Sequence, residues 1–280
     1  MKKILITGAN SYIGVSFERY MNQFADAYRV DTLDVISDAW KQADMSGYDV
    51  VFHVAGIAHR KETAENADLY YRVNRDLAVA IARKAKAEGV GQFVFMSTMS
   101  VYGMDAGVIT PTTSTTPVTH YGKSKLEAET AISGLQDDNF AVTVLRPPMV
   151  YGKGCKGNFQ LLLKLVQKSP VFPAVENRRS MISVLNLCSF VHMVVDKKCT
   201  GVFCPQNRDY VNTTDLARVM AQAMGKKVLF SKFAGAGVKM LIPVFSKARK
   251  AFSTLIYQDC EQFDYSYCKE DMATSVRNSI

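Results

Sequence analysis

The stretch that most constrains this chain is its first, MKKILITGANSYIGVSF. The apolar run Ile4-Leu5-Ile6 breaks into Thr7-Gly8-Ala9-Asn10-Ser11-Tyr12-Ile13-Gly14, and an amphipathic stretch follows. A strand, a turn of small residues and a helix in that order form the phosphate-cradling corner of an α/β nucleotide-binding domain. Gly8 stands where the strand turns sharply, and Gly14 where the helix packs closely on the sheet. The backbone N–H groups between them face a pyrophosphate at the positive helix end. Ser11 departs from the Gly-x-x-Gly-x-x-Gly pattern. It is small, keeps its N–H and adds a hydroxyl within reach of a phosphate oxygen, so only backbone freedom is lost.

The rest of the chain repeats this alternation. Strand candidates at 3–7, 28–33, 49–55, 92–97 and 141–146 are interleaved with helix candidates near 12–24, 66–89 and 122–135. That order predicts βαβ units: an α/β fold with a Rossmann-type doubly wound parallel sheet. After Pro147-Pro148 the texture changes to a glycine- and lysine-rich loop, YGKGCKGNF, a helical QLLLKLVQK, a strand-like MISVLNL and the helix TDLARVMAQAMG. The expected division is a nucleotide-binding domain at 1–150, with later segments returning to it, and a smaller substrate-binding region at 151–280. In the tail, VKMLIPVFSKARKAFSTLIY is basic and amphipathic. Such a piece either lies on a membrane surface or, interrupted at Pro243, forms a packed helix pair, and the proline favours the pair.

Charge and composition narrow the partners. The net charge of +8 favours anionic ligands, but no zinc-finger spacing or RNA-binding signature is present, so nucleic acid is not expected. The six cysteines contain no Cys-x-x-Cys pair, and the four histidines (53, 59, 120, 192) show no metal-ligand spacing. No metal is expected, and reduced thiols point to the cytoplasm. The N-terminal apolar run is too short for a signal peptide, and no stretch reaches the roughly 20 apolar residues of a membrane span.

Two further features carry chemistry. Asp34, just after the strand YRVDTL, is placed to accept from both ribose hydroxyls of NAD and to repel a 2′-phosphate; Asp31 is the alternative. No Arg or Lys lies between Gly8 and Gly14 or between Asp31 and Ala39, which favours NAD over NADP. In THYGKSKLEAE, Tyr121 and Lys125 stand one helical turn apart. A lysine ammonium beside a phenol favours the phenolate, which then exchanges a proton with a substrate hydroxyl. Tyr265 and Lys269 share the spacing, without a cofactor strand nearby.

Order along the chain separates the two pairs. The nucleotide loop, HVAG, the hydroxyl-ended strand FVFMSTMSVYG, Tyr-x-x-x-Lys and RPPMVYG follow one another, the last ending at Gly152. This set resembles the extended short-chain dehydrogenase/reductases, within the NAD-dependent epimerase/dehydratase family, and looks most like its UDP-glucose 4-epimerase-like subgroup. The resemblance implies roles for matched positions. Thr98 would hydrogen-bond the reacting sugar oxygen, Tyr121 would be the general acid/base, and Lys125 would hold the nicotinamide ribose and polarise Tyr121. Gly8, Ser11, Tyr12, Ile13 and Gly14 would wrap the pyrophosphate, Asp34 would hold the adenosine ribose, and Asp44 would sit by the adenine. Ala55, Gly56, Asn74 and Pro148 match positions beside the cofactor. Arg179 matches the arginine that clamps the nucleotide diphosphate, with Arg178 able to share or swap the role. Many members follow Arg-Pro-Pro with an asparagine; this chain has Met149, and Asn158 in KGNF is the substitute.

The reaction implied is a 4-epimerisation of a UDP-hexose or UDP-N-acetylhexosamine through a 4-keto intermediate. A dehydratase needs an Asp-Glu pair after the threonine, and Met99-Ser100 cannot shuttle protons. An NAD(P)H-dependent reductase of a nucleotide-linked 4-keto sugar would use the same residues. A non-catalytic NAD-sensing protein is the reading from another class, disfavoured because the tyrosine and lysine are both present. UDP- and lipid-diphosphate-linked donors, and a homodimer, stay open.

Overall fold

The computed structural model describes residues 1–280 apart from His59, and the backbone alone of Lys247. The elements run β1 (Lys2–Thr7), α1 (Tyr12–Met21), β2 (Tyr28–Leu33), β3 (Val50–His53), α2 (Ala67–Tyr70), α3 (Leu77–Ala87), β4 (Gln92–Met96), β5 (Gly107–Ile109), α4 (His120–Ser133) and β6 (Ala141–Leu145). There follow β7 (Met149–Tyr151), α5 (Asn158–Lys168), β8 (Val171–Pro173), β9 (Met181–Ser183), α6 (Val184–Asp196), β10 (Gly201–Phe203) and α7 (Thr213–Ala223). The last are β11 (Leu229–Ser231), α8 (Lys232–Leu241), α9 (Ser246–Phe252), β12 (Leu255–Tyr257) and α10 (Met272–Asn278).

Two compact units result. The first contains Met1–Gly103, Ser114–Pro147 and Cys188–Pro205; the second contains Met104–Thr113, Pro148–Leu187 and Gln206–Ile280. The first is built on a six-stranded sheet in the order β10-β6-β4-β3-β1-β2, every pair parallel. Strands β3, β4 and β6 are buried along their whole lengths, as their unbroken apolar runs require when helices cover both faces. The chain leaves β1 first to β2 on one side and then to β3 on the other. That reversal opens a crevice at the carboxyl ends of β1 and β3, where such sheets bind ligands. The second unit holds three parallel two-stranded pairs, β8–β11, β5–β12 and β7–β9.

Three local outcomes differ from the pattern in the sequence. The strand-like MISVLNL is a strand only to Ser183. There Ser183 Oγ accepts the Asn186 N–H at 3.1 Å and the chain turns into α6, burying Leu187, Val191 and Val194 at helical spacing. The single helix expected near 66–89 is α2 and α3 joined by a π-helical turn, Tyr71–Asp76. The tail breaks at Pro243 into α8 and α9, while its last residues, Leu255–Tyr257, pair as β12.

A buried ion pair fixes α4 to the sheet. Arg146, following β6, grips both oxygens of Glu129, whose side chain is 4% exposed, and Ser97 Oγ donates to the same carboxylate. Arg146 also donates to Tyr102 Oη at 3.0 Å. Burial works against the guanidinium charge, but Glu129 and Tyr102 outweigh it and raise its pKa. Glu129→Ala removes the carboxylate that offsets the burial of this charge and should cost about 3–5 kcal/mol. The double variant Glu129→Met/Arg146→Met should recover most of the loss, as urea unfolding curves of the three proteins will show.

Candidate active site

The nucleotide turn is built as a helix start. Gly8 has φ +116°, and a Cβ there would fall 2.7 Å from the backbone nitrogen of Ala55. Only glycine lets β1 turn so close to the end of β3. Ser11 is the N-cap of α1: its φ is −70°, and its Oγ accepts the Gly14 N–H at 3.1 Å. An extended residue needs no glycine, which explains the altered position, and the Ser11 oxygen is used first by its own helix. Gly14 keeps that cap in place, since a Cβ would lie 2.6 Å from the same oxygen. Tyr12 and Ile13 form the first turn above it.

The acidic candidates separate. Gly8 N and Ala9 N both donate to Leu33 O, at 3.0 and 3.3 Å, so Asp34 follows directly beside the glycine turn. It is exposed and spends one oxygen on the Ile36 N–H. Asp31 is committed to Arg29 and the Tyr48 hydroxyl. Asp44 is not brought to this edge. Its neighbour Met45 donates to Glu88 at the C-terminal end of α3, and Asp49 N donates to Lys3 O. This is the amino-terminal edge of the sheet, a strand length of roughly 20 Å from the glycine turn. The chain between β2 and β3 contains only a 3₁₀ turn, Asp38–Gln42, which carries Asp44 away from the ligand edge.

Asn74 sits in the π-helical turn and is fully buried. Its amide bonds Ile57 N and Ile57 O at 2.8 and 3.1 Å and Ser124 Oγ at 3.3 Å, strapping the loop after β3 to α4. Ala55 and Gly56 lie on that loop. A Cβ on Gly56 would be 2.9 Å from Asn74 Oδ1 and 3.4 Å from Lys125 Nζ. Asn74 is thus a positioning residue whose hydrogen bonds go to protein. His53, at the end of β3, holds Thr7 Oγ1 at 2.8 Å and stacks near Phe93 and Phe95. Burial, with Lys125 as a lesser cause, pushes it down to about 3, so its ring is neutral.

Thr98, Tyr121 and Lys125 converge. Thr98 lies close enough to Tyr121 to oppose the rise in its pKa, and its Oγ1 accepts the Ser100 N–H at 3.1 Å. Lys125 is buried, donates to Met96 O at 2.8 Å and lies 4.6 Å from the Phe95 ring centre. Burial lowers it to about 8, with Glu129 opposing. Burial raises Tyr121, Thr98 opposes and Tyr70 adds to the rise. The pair Tyr265 and Lys269 is no second site. Tyr265 lies in a 3₁₀ turn ending at Tyr267 and bonds Glu261, and Lys269 bonds Ser266 O.

Sequence reasoning missed Glu62 and Glu129. The Glu62 carboxylate accepts the His120 and Tyr121 N–H groups, both at 3.0 Å, and so caps α4 beside Thr119. Nothing in the sequence ties residue 62 to residue 120. Glu129 had a signal, since it is one further turn along the Tyr121–Lys125 face.

In the second unit, Arg179 is half-buried and donates to Ser253 O at 2.9 Å; burial lowers its pKa, with Asp105 opposing. Arg178 is exposed, over the Tyr210 ring at 5.5 Å. Asn158 is the exposed first residue of α5, and Pro148 is buried where the chain enters this unit.

The model of the NAD dependent epimerase/dehydratase family matches residues 4–203. The chain belongs to that family. A UDP-glucose 4-epimerase of Vibrio cholerae is 29% identical over 253 residues, covering 80% of this chain and 76% of the relative. A UDP-glucuronic acid 4-epimerase of Bacillus cereus, solved in complex with NAD, superposes with a TM-score of 0.75 at 16% identity, covering 99% and 97% of the two chains. A dTDP-4-dehydrorhamnose reductase of Yersinia enterocolitica gives 0.72 at 18% identity over the whole of both. The fold therefore accommodates epimerases and reductases alike. The residues present fit the family's NAD: Gly8 lets the chain turn tightly against Ala55, and the first turn of α1 opens on the same edge as Asp34. Among the described residues no helix is long and apolar enough to cross a membrane.

Two measurements test this geometry. Ser11→Ala should lose about 1 kcal/mol of stability and Ser11→Gly only a few tenths. For Lys125 the folded value lies below its ordinary 10.5. Its stabilising contribution is therefore complete above pH 10.5 and lost as the pH falls to about 8. Measured against Lys125→Met, the wild type should gain on the order of 3 kcal/mol between those limits, with a flat difference below.

Proposed function

We propose that this chain is a nucleotide-sugar 4-epimerase that retains NAD and acts on a UDP-hexose or UDP-N-acetylhexosamine. The observation that carries the reading is the convergence of Thr98 and Tyr121, with buried Lys125 one turn on, at the edge where the glycine turn ends β1. Tyr121 takes the proton of the C4 hydroxyl at its phenolic oxygen while Thr98 holds that hydroxyl in line. Lys125 binds the nicotinamide ribose and keeps its charge near the phenol. When bound, NAD supplies reversible hydride transfer at the sugar C4. Tyr121 then returns the proton after the 4-keto sugar has presented its other face. Met99 is buried and Ser100 is no acid at neutral pH, so the expulsion of a second hydroxyl lacks a donor beside Thr98. In the second unit, which we read as the substrate-binding region, Arg179 is the candidate for the diphosphate and Asn158 for the sugar nucleotide.

Asp34 and the absence of basic residues at 8–14 and 31–39 make NAD the tighter ligand. Calorimetric titration should give at least about a tenfold preference over NADP, the effect of a carboxylate facing the 2′-phosphate. Tyr121→Phe should lower turnover by about 10² or more with NAD binding retained, and Tyr265→Phe should change little. With substrate deuterated at C4, the label should return to C4 of the epimer without net accumulation of NADH. Stoichiometric consumption of added NADH by a UDP-4-keto sugar, with no epimer from any UDP-sugar, would establish the reductase instead.

A further inference from the structure

The second unit carries an apolar surface that neither its core nor the candidate site uses. On α8 the exposed residues Phe233, Ala236, Gly237, Met240 and Leu241 follow the i, i+3, i+4, i+7, i+8 spacing of one helix face. The opposite face is the one that packs. Gly235 is buried so tightly that a Cβ would lie 1.9 Å from Ala174 O, and Val238 and Ile242 on the same side are half-buried. The stripe continues into the turn before α9. Phe233 is 91% exposed, Met240 80%, Val244 72% and Phe245 55%. Single exposed apolar residues are ordinary, but a continuous row at helical spacing marks a surface that something covers. Arg249 holds the turn in place, donating to Pro243 O at 2.7 Å and to Ile242 O at 3.4 Å.

The charge around this row decides what covers it. Residues 232–252 contain four lysines and one arginine and no acidic residue. Lys232 and Lys239, two helical turns apart along the flank of the stripe, are both exposed. A second copy using the same patch would bring like charges together, with no carboxylate in the segment to meet them. An anionic surface with an apolar interior complements both features at once.

We propose that the α8–α9 hairpin docks this protein on anionic bilayers. The row from Phe233 to Phe245 seats at the boundary of headgroups and acyl chains, and Lys232 and Lys239 lie among the headgroups. The hairpin rests on the membrane and does not cross it.

Sedimentation of the full chain with vesicles tests this. The wild type should partition onto phosphatidylglycerol–phosphatidylcholine vesicles at least about tenfold more strongly than onto phosphatidylcholine alone. Phe233→Ser/Met240→Ser should weaken that binding about tenfold or more. Lys232→Gln/Lys239→Gln should weaken it about tenfold. Both variants alter exposed residues, so thermal melting should match the wild type, as should cofactor binding. Failure of the wild type to bind vesicles, equal binding to the two compositions, or full binding by either double variant would overturn the proposal. So would a wild-type dimer that Phe233→Ser/Met240→Ser converts to a monomer without any vesicle binding, since a second copy would then be the occupant.

Discussion

Glu129 meets Arg146 inside the first unit, with side chains 4% and 14% exposed, and the position of α4 depends on that contact. A carboxylate so buried is tolerated only when its charge is paired and its oxygens are bonded, so α4 cannot slide or rotate on the sheet without breaking the pair. Tyr121, Lys125 and Glu129 are successive turns of one helix face. They meet Thr98, Met96 O and Ser97 in turn, all at the carboxyl end of β4. One buried pair thereby sets the register of Tyr121 and Lys125. Glu62 secures the other end, its carboxylate accepting the first two N–H groups of α4.

The same burial sets the electrostatics. Removal from water drives Lys125 and Tyr121 toward their neutral forms, the lysine down to about 8 and the phenol above its ordinary value. Packing that fixes geometry therefore also keeps the phenol protonated on its own. Lys125 donates to Met96 O beside the Phe95 ring, and a Cβ on Gly56 would lie 3.4 Å from its Nζ. In the second unit the economy is different. Its small parallel pairs bury aromatic residues such as Tyr151 and Tyr257, and α8 is left with an apolar face outside that core.

Much of the fold was legible because its signals are local. Buried parallel strands read as apolar runs, and β2 at 28–33 has the expected bounds. Gly8, Gly14, Tyr121 and Lys125 were found by spacing, since a turn and one helical face are properties of consecutive residues. The signals failed where a local pattern had two readings. MISVLNL is as apolar as a strand and as periodic as a helix, and one serine cap decided between them. Asp44 matched a position by count, but the short link between β2 and β3 carries it to the far edge of the sheet.

What the sequence by itself determined is the order of the elements, the glycine turn and the shared helix face of Tyr121 and Lys125. Each follows from steric rules acting over a few residues. Only the tertiary structure decided that Ser11 caps a helix, that Asp34 and not Asp44 shares the ligand edge, and that Glu62 and Glu129 hold α4 in place. Those contacts join residues far apart in the chain, and their energy comes from excluding water around charges. No local pattern encodes that exclusion; it exists once the sheet and its helices have closed over the site.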